Sequence, residues 1–466
     1  MKKANLTGTL VCFVACLIFL SSGDIFREKP IALIWFLRQN ILFFTGTLAW
    51  CLMTLTMCLS LRSSWLNKVL GGLDKAWRLH KWAGICAIAF AFAHWLDEKL
   101  PQLFVAFGWL THPGKIVDIN LTPVQENWLH AGLLVGECAM FIMIAMIFVS
   151  LSKKVPYHLF HLVHRLFPVF YLAIAFHVFT ALFKSYWWET PAAYLLILIT
   201  IPGVFAAFIS LLKLNGSKNK HQATIKNIVN HPGQITEVTL ELEHAIDYSP
   251  GQFAFLTFAH SKESHPFTIA SYTKEKNTLR FAIKHLGDYT STLASSIKIG
   301  QSAFVEGPWG KFDFTLPCSH QVWIAGGIGI TPFIAQLEYR KHHGASFVPV
   351  DLWYCVSRSE DAWYIDKLTS LCAQARVTLH LLDAHKGERL QVHYLTDKIA
   401  NKGDTHFWFC GPQSFAKALS KGLYENGIAS QNFPFRPFLY ALNALYPTQN
   451  CVIVQEKAFT RSRQQQ

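Results

Sequence analysis

Two apolar stretches, RLHKWAGICAIAFAFAHWL at 78–96 and HRLFPVFYLAIAFH at 164–177, each carry a histidine towards both ends: His80 and His94 in the first, His164 and His177 in the second. Ionisable side chains are rare within lipid and mark functional sites there. The two spacings, fourteen and thirteen residues, put the members of each pair roughly 20 Å apart along a helix. In a hydrocarbon layer about 30 Å thick, one histidine of each segment then falls in each leaflet. His80 would face His164 near one surface, and His94 would face His177 near the other. Two imidazoles from facing helices can fill both axial positions of a haem iron, and an apolar bundle suits haem. Fourteen residues return to within about 40° of the starting face, whereas thirteen miss it by about 140°. Pro168 lies in that second interval and could alter the winding. The competing account is histidines hydrogen-bonded inside a bundle or sitting at its ends. That account is kept for His130, His158 and His161, which have no matching partners; for the fourfold arrangement ligation is favoured.

The chain has 466 residues, 52% of them hydrophobic and 14% aromatic, which is too apolar for an ordinary soluble protein of this length. Six apolar segments, at about 4–22, 33–61, 80–96, 128–151, 157–183 and 192–214, are read as spans. The net charge of +13 raises nucleic acid as a partner, but the basic residues flank the apolar segments instead of forming one tract. MKK, LRSSWLNKVLGGLDKAWRLHK, SKKVPYH and KLNGSKNK occupy alternate loops. By the positive-inside rule both ends face the cytoplasm, as in an inner-membrane protein of several passes. The 11 cysteines include no CxxC pair, which argues against a disulfide framework and covalently attached haem.

Beyond the polar stretch NGSKNKHQ, short alternating runs such as ITEVTLELE and TLRFAIKHL predict a small β-barrel. From about residue 320, apolar runs alternating with helix-like stretches predict a parallel α/β sheet. HPFTIAS at 265–271 follows a barrel-like strand. IKHLGDYTSTL at 283–293 puts glycine and hydroxyl groups where a helix starts, and free amides there suit a diphosphate. Thr268 could donate to a flavin ring nitrogen, and Lys284 could balance phosphate charge. AGGIGITPF follows the strand QVWI, so its glycines allow phosphates to approach the backbone. CGP at 410–412 follows the strand HFWF at the same carboxyl edge. In YCVSRS, Ser357 and Arg358 are candidates for the 2′-phosphate of NADPH, although a solvated arginine is an equal reading.

Together, the paired histidines, HPFTIAS, GGIGITPF and CGP occur in an order that resembles the NADPH oxidase and ferric reductase family of transmembrane flavocytochromes, over about residues 30–436. The resemblance implies a multidomain fold: a six-helix transmembrane bundle with two b-type haems at 1–214, a linker at 215–221, a ferredoxin-reductase-like FAD barrel at 222–317 and an α/β NADPH domain at 318–436. Residues 437–466 form an extension without an assigned role. It implies a FAD site of His265, Phe267, Thr268, Ser271, Lys284, Gly287 and Thr290, and a nicotinamide nucleotide site of Gly327, Gly329, Thr331, Pro332, Cys410 and Pro412. Arg38, Cys410 and Phe435 are the residues it sets closest to the redox steps. Arg38 matches an arginine of the oxidases beside the outer haem, while Glu98 stands where they tend to carry a histidine. Phe435, in NFPFRP, matches an aromatic that covers the flavin, although about thirty residues follow it here.

The expected activity is transfer of electrons from cytosolic NADPH through FAD and both haems to an acceptor outside, O2 first, giving superoxide. A ferric or cupric chelate reductase and a module feeding a periplasmic protein are the alternatives. A non-enzymatic membrane protein with incidental histidines would show no haem spectrum. No paired catalytic carboxylates and no metal-hydrolase constellation are evident.

Overall fold

The computed structural model describes residues 2–26, 32–70, 72–112, 120–152, 155, 157–259, 263–310, 312, 314, 318–343, 348–396, 404–426 and 451–455. The chain divides into two compact units, Met1–Gly216 and Ser217–Gln466.

The first unit is helical: α1 (Lys2–Ser21), α2 (Leu33–Ser60), α3 (Ser64–Leu70), α4 (Leu73–Ala106), α5 (Pro123–Leu151), α6 (Tyr157–His164), α7 (Phe167–Ala181) and α8 (Pro191–Leu211). Among the described residues, four helical segments are long and apolar enough to cross a membrane: Leu33–Ser60, Pro123–Leu151, Leu159–Lys184 and Pro191–Leu211. All six expected segments are helical, but the third is longer than its apolar part. In α4 charged residues flank the apolar centre, with Arg78 and Lys81 on one side and Asp97, Glu98 and Lys99 on the other. Packing inside the unit joins distant segments through a few large groups. Trp50 of α2 stacks on Tyr171 of α7 with ring centres 4.7 Å apart. The Tyr171 hydroxyl lies 2.8 Å from Thr54 Oγ1, and a Cβ on Gly203 of α8 would collide with it. The capping box of Thr122 and Gln125, with Pro123 as the first helical residue, starts α5 sharply.

The segment expected as one helix over 157–183 is two. Proline has no N–H, and its ring clashes with the carbonyl four residues back. For Pro168 that residue is His164. Helix α6 ends there, the chain tightens through Leu166 N–H donating to Val163 O at 3.0 Å, and α7 restarts with Pro168 in its first turn. An unbroken helix would put the two histidines on different faces; the break removes that constraint.

The second unit begins with a closed antiparallel barrel in the order β1-β2-β5-β4-β3-β6, made of β1 (Lys220–His231), β2 (Ile235–Leu242), β3 (Phe253–Phe258), β4 (His265–Thr273), β5 (Thr278–Lys284) and β6 (Ser302–Trp309). Its interior holds Val238, Leu240, Phe258, Phe267, Ile269 and Phe281, and is closed by Leu293 of α9 (Asp288–Ser296). A five-stranded sheet follows in the order β11-β10-β7-β8-β9. Its elements are β7 (His320–Gly326), α10 (Thr331–His343), β8 (Val350–Val356), α11 (Ile365–Gln374), β9 (Thr378–Asp383), α12 (Val392–Thr396), β10 (Thr405–Pro412), α13 (Gln413–Glu425) and β11 (Cys451–Gln455). Strands β10, β7, β8 and β9 pair in parallel. Both faces of this sheet are covered, so β7 and β10 are buried almost throughout and read as continuous apolar runs. Strand β11 pairs antiparallel with β10, placing part of the 437–466 extension in the sheet itself.

Candidate functional site

In the helical unit the four histidines meet as two pairs across α4 and the α6–α7 segment. The His80 and His164 ring centres are 6.0 Å apart, and those of His94 and His177 are 6.5 Å apart. Two imidazoles holding one metal ion in line at about 2.0–2.1 Å put their ring centres about 6 Å apart, so both spacings fit a shared ion. Three of the rings are fixed from behind. Nδ1–H of His80 donates to Thr56 O, that of His94 to Leu42 O and that of His177 to Gly132 O, each at 2.9 Å. A carbonyl can only accept, so these contacts put the proton on Nδ1 and leave the Nε2 lone pair for a metal. Among the described residues no group of three or more His, Cys, Asp and Glu is placed to hold a metal ion.

Small residues make the close approach possible. A Cβ on Gly136 would lie 2.5 Å from His177 Nδ1, one on Gly46 would lie 2.9 Å from His94 Nδ1, and one on Gly132 would collide with Thr180. The Gly132-x-x-x-Gly136 spacing, a known signal for tight helix packing in membranes, is therefore the sequence trace of this site that the reading above missed. His164 differs: its Nδ1 is buried without a hydrogen-bond partner among the described residues, and its ring lies between Phe160 and Phe167 with centres 5.1 and 5.0 Å away.

Arg38 and Glu98 stand one turn beyond the contact of His94 with Leu42, on α2 and α4. Arg38 pairs with Glu98, and its Nε donates to Asp97 O at 3.1 Å. Lys184 Nζ lies 3.9 Å from the other Glu98 oxygen. The arginine expected at this end is there, but its charge is compensated.

In the second unit, His265 and the start of α9 come together. The His265 ring stacks on Tyr289 at 3.7 Å, and its Nε2 lies 3.0 Å from Glu263. Burial lowers the pKa of His265, opposed by Glu263. Thr290 Oγ1 accepts from Leu286 N at 2.9 Å and Gly287 N at 3.2 Å, so the helix begins where the glycine and hydroxyls predicted. Thr268 and Lys284 sit half-buried on β4 and β5, whereas the Phe267 side chain is packed in the barrel interior. Ser271 lines a separate polar cleft of about 630 Å³ with Arg280, Glu338 and Tyr364. Arg280 ties the barrel to the sheet there, donating to Glu338 at 2.5 Å and to Tyr364 Oη at 2.8 Å.

Strands β7 and β10 flank the point where strand order reverses, and ligands of open α/β sheets bind at that point, outside the carboxyl ends. Both glycine-bearing motifs end there. Gly327 has φ +56°, a Cβ on Gly329 would collide with Cys410 O, and one on Gly326 would lie 2.7 Å from Pro412 Cδ. Thr331 and Pro332 open α10 directly beside them, with Thr331 Oγ1 donating to Ile328 O at 3.2 Å. The Cys410 side chain is buried, so it meets this edge through its backbone. Ser357 and Arg358 are exposed at the end of the neighbouring strand β8. Phe435 lies outside the described residues.

Comparison with known proteins covers the same three blocks. Residues 45–175 match the ferric reductase like transmembrane component family, 219–313 an FAD-binding domain and 323–421 an oxidoreductase NAD-binding domain. Dual oxidase 2 of Rattus norvegicus is 23% identical over 440 residues, 84% of this chain and 27% of that protein. Ferric reduction oxidase 3, mitochondrial, of Arabidopsis thaliana is 28% identical over 295 residues, 60% of this chain and 36% of that protein. The toluate 1,2-dioxygenase electron transfer component of Pseudomonas putida is 27% identical over 232 residues, 47% of this chain and 67% of that protein. The chain thus spans about a third or less of the two oxidases' length.

Proposed function

This chain belongs to the NADPH oxidase and ferric reductase superfamily of NAD(P)H-dependent oxidoreductases, and from that premise we propose that it carries electrons from NADPH across a membrane to an acceptor on the far side. The edge of β7, β8 and β10 would hold the nucleotide and the barrel the FAD, while His80 with His164 and His94 with His177 would each hold one b-type haem. The observation that carries this reading is the pair of ring spacings, 6.0 and 6.5 Å, with Nδ1 of three rings turned away towards helix carbonyls. Held in these places, FAD would supply the conversion from two-electron to one-electron transfer, and haem the one-electron relay. The protein's part is position: the Gly326–Gly329 turn clears the nucleotide edge, the start of α9 would receive the diphosphate, and the helix carbonyls orient the histidines that would hold haem. The soluble unit then lies on the cytoplasmic side of an inner membrane.

At the far end O2, giving superoxide, is the first reading, because Arg38 lies beside the His94 pair. A ferric chelate is the second, and it is favoured by the pairing of Arg38 with Glu98, which compensates the charge of Arg38. The test is reduction of purified, FAD-loaded protein by NADPH without oxygen, followed by air. Haem bands that reduce and reoxidise rapidly with superoxide release support the oxidase. Slow reoxidation in air with rapid reoxidation by ferric chelate supports the metal reductase, and a protein without haem bands refutes the scheme.

A further inference from the structure

We propose that Asp383 is a positioning residue for dinucleotide selection: it clasps the loop that carries Ser357 and Arg358 and so fixes where the 2′-phosphate of NADPH is met. The inference rests on NADPH being the donor. Strands β8 and β9 end side by side, with Val356 in register with Asp383. Beyond Val356 the chain turns through Ser357 and Arg358, both exposed, to Ser359. Asp383 is 4% exposed and each of its oxygens accepts a main-chain N–H, Ser359 N–H donating to Oδ2 at 2.8 Å and His385 N–H to Oδ1 at 2.9 Å, with the Ser359 hydroxyl as a further donor. The same His385 N–H also reaches Ser357 O at 3.0 Å. On the other side Asp383 N–H donates to Glu388 at 3.0 Å, and Glu388 N–H donates to Asp383 O at 3.0 Å. One carboxylate therefore joins the loop after β8 to the turn after β9.

An acidic residue near the end of an early strand in such sheets often takes the ribose hydroxyls and selects the unphosphorylated dinucleotide. Asp383 has the residue type for that role, but its oxygens face backbone amides. The Ser359 hydroxyl first, and the amides of Ser359, His385 and Lys386 after it, outweigh desolvation and hold its carboxyl at about 2, so it stays charged at any working pH. The loop it anchors offers a hydroxyl and a guanidinium, the chemistry that recognises a phosphate.

Asp383→Asn keeps the shape but must turn an NH2 donor towards one of the two amide donors. In full-length, FAD-loaded protein with ferricyanide as acceptor, we expect KM for NADPH to rise roughly tenfold, as for a misplaced charge-assisted phosphate contact. KM for NADH and kcat should stay within about twofold. Ser359→Ala should move KM for NADPH in the same direction by less, and it decides alone if Asp383→Asn retains no flavin. Arg358→Ala should abolish the preference for NADPH, and Asp383→Asn added to it should change nothing more. Equal shifts in KM for both donors, or additivity of Asp383→Asn with Arg358→Ala, would overturn the role of Asp383. A wild-type protein with no preference for NADPH, or an Arg358→Ala variant that keeps the preference, would instead overturn the donor assignment on which the role rests.

Discussion

Around His94 and His177 both rings are held from behind, by Leu42 O and Gly132 O, in space kept open by Gly46 and Gly136. A set of paired charges, Arg38, Glu98 and Lys184, closes that end. Around His80 and His164, among the described residues, one ring has a carbonyl behind it, and the other rests on two phenylalanines beside a broken helix. The two pairs share a spacing and differ in how it is enforced. A hydrogen bond to Nδ1 fixes both the direction and the basicity of a ligand, whereas aromatic stacking fixes mainly position. If each pair holds a haem as proposed, the His94 pair is a rigid ligand set, and the His80 pair one with a compliant member.

The sharpest way to break that comparison is Gly136→Ala. The added methyl would sit 2.5 Å from His177 Nδ1 and 2.6 Å from its Cγ, so ring or helix must move. We expect the haem at His94 and His177 to be lost, about half of the Soret absorbance per protein, with the His80 pair still occupied. Gly46→Ala, at 2.9 Å from His94, should weaken the same haem less. If both haems survive Gly136→Ala, packing is not what sets the rigid pair. Next in size is Phe167→Ala, which removes one of the two supports of His164. A ring contact of this type contributes ~0.5–1.5 kcal/mol. The ligand should then release for part of the time, and the reduced protein should bind carbon monoxide at one haem only. Binding at neither would show that His164 is as firmly held as its counterparts.

How much of this was legible beforehand differs between the pairs for the same physical reason. Residue type and spacing display the paired histidines, so His80, His94, His164 and His177 stand out in the sequence. Their supports are carbonyls of Leu42, Thr56 and Gly132, and a backbone group has no residue signature. Gly132 and Gly136 did leave one, a small-residue repeat. The break after His164 was traceable to Pro168, but the size of the rotation depends on hydrogen bonds at 165–170 that no periodicity encodes. In the second unit the alternation that marks β2 and β5 also gave the barrel, and the glycine motifs gave the sheet edge. Strand β11 was hidden because its partner β10 lies about forty residues back in the chain, and such a pairing leaves no local pattern. Asp383 was overlooked because its partners are amides of the next loop. Phe267 was assigned to the cofactor by motif, yet the period-2 alternation of β4 turns it into the barrel with Ile269.

The smallest expected effect concerns the charges that set the two ends apart. Arg38 is partly exposed, as is Glu98, so their pairing is worth ~1 kcal/mol or less. Glu98→Gln keeps an acceptor for the guanidinium and removes the negative charge, leaving Arg38 with Asp97 Oδ2 at 3.9 Å as its carboxylate neighbour. Oxygen becomes an anion when it takes an electron, and a fixed cation beside the developing charge lowers that barrier. A ferric chelate reduced at the same place gains no new need for such a cation. The yield of superoxide per electron, measured against ferric chelate reduction in the same preparation, should therefore rise by up to about fivefold. The haem spectrum should stay unchanged, and the midpoint potential of the haem at His94 and His177 should move upwards, because a nearby negative charge has gone. A potential that moves without a change in the superoxide ratio would mean that Glu98 acts on the haem and not on the acceptor. If neither moves, the charged end is only a cap, and the two pairs differ solely in how their imidazoles are anchored.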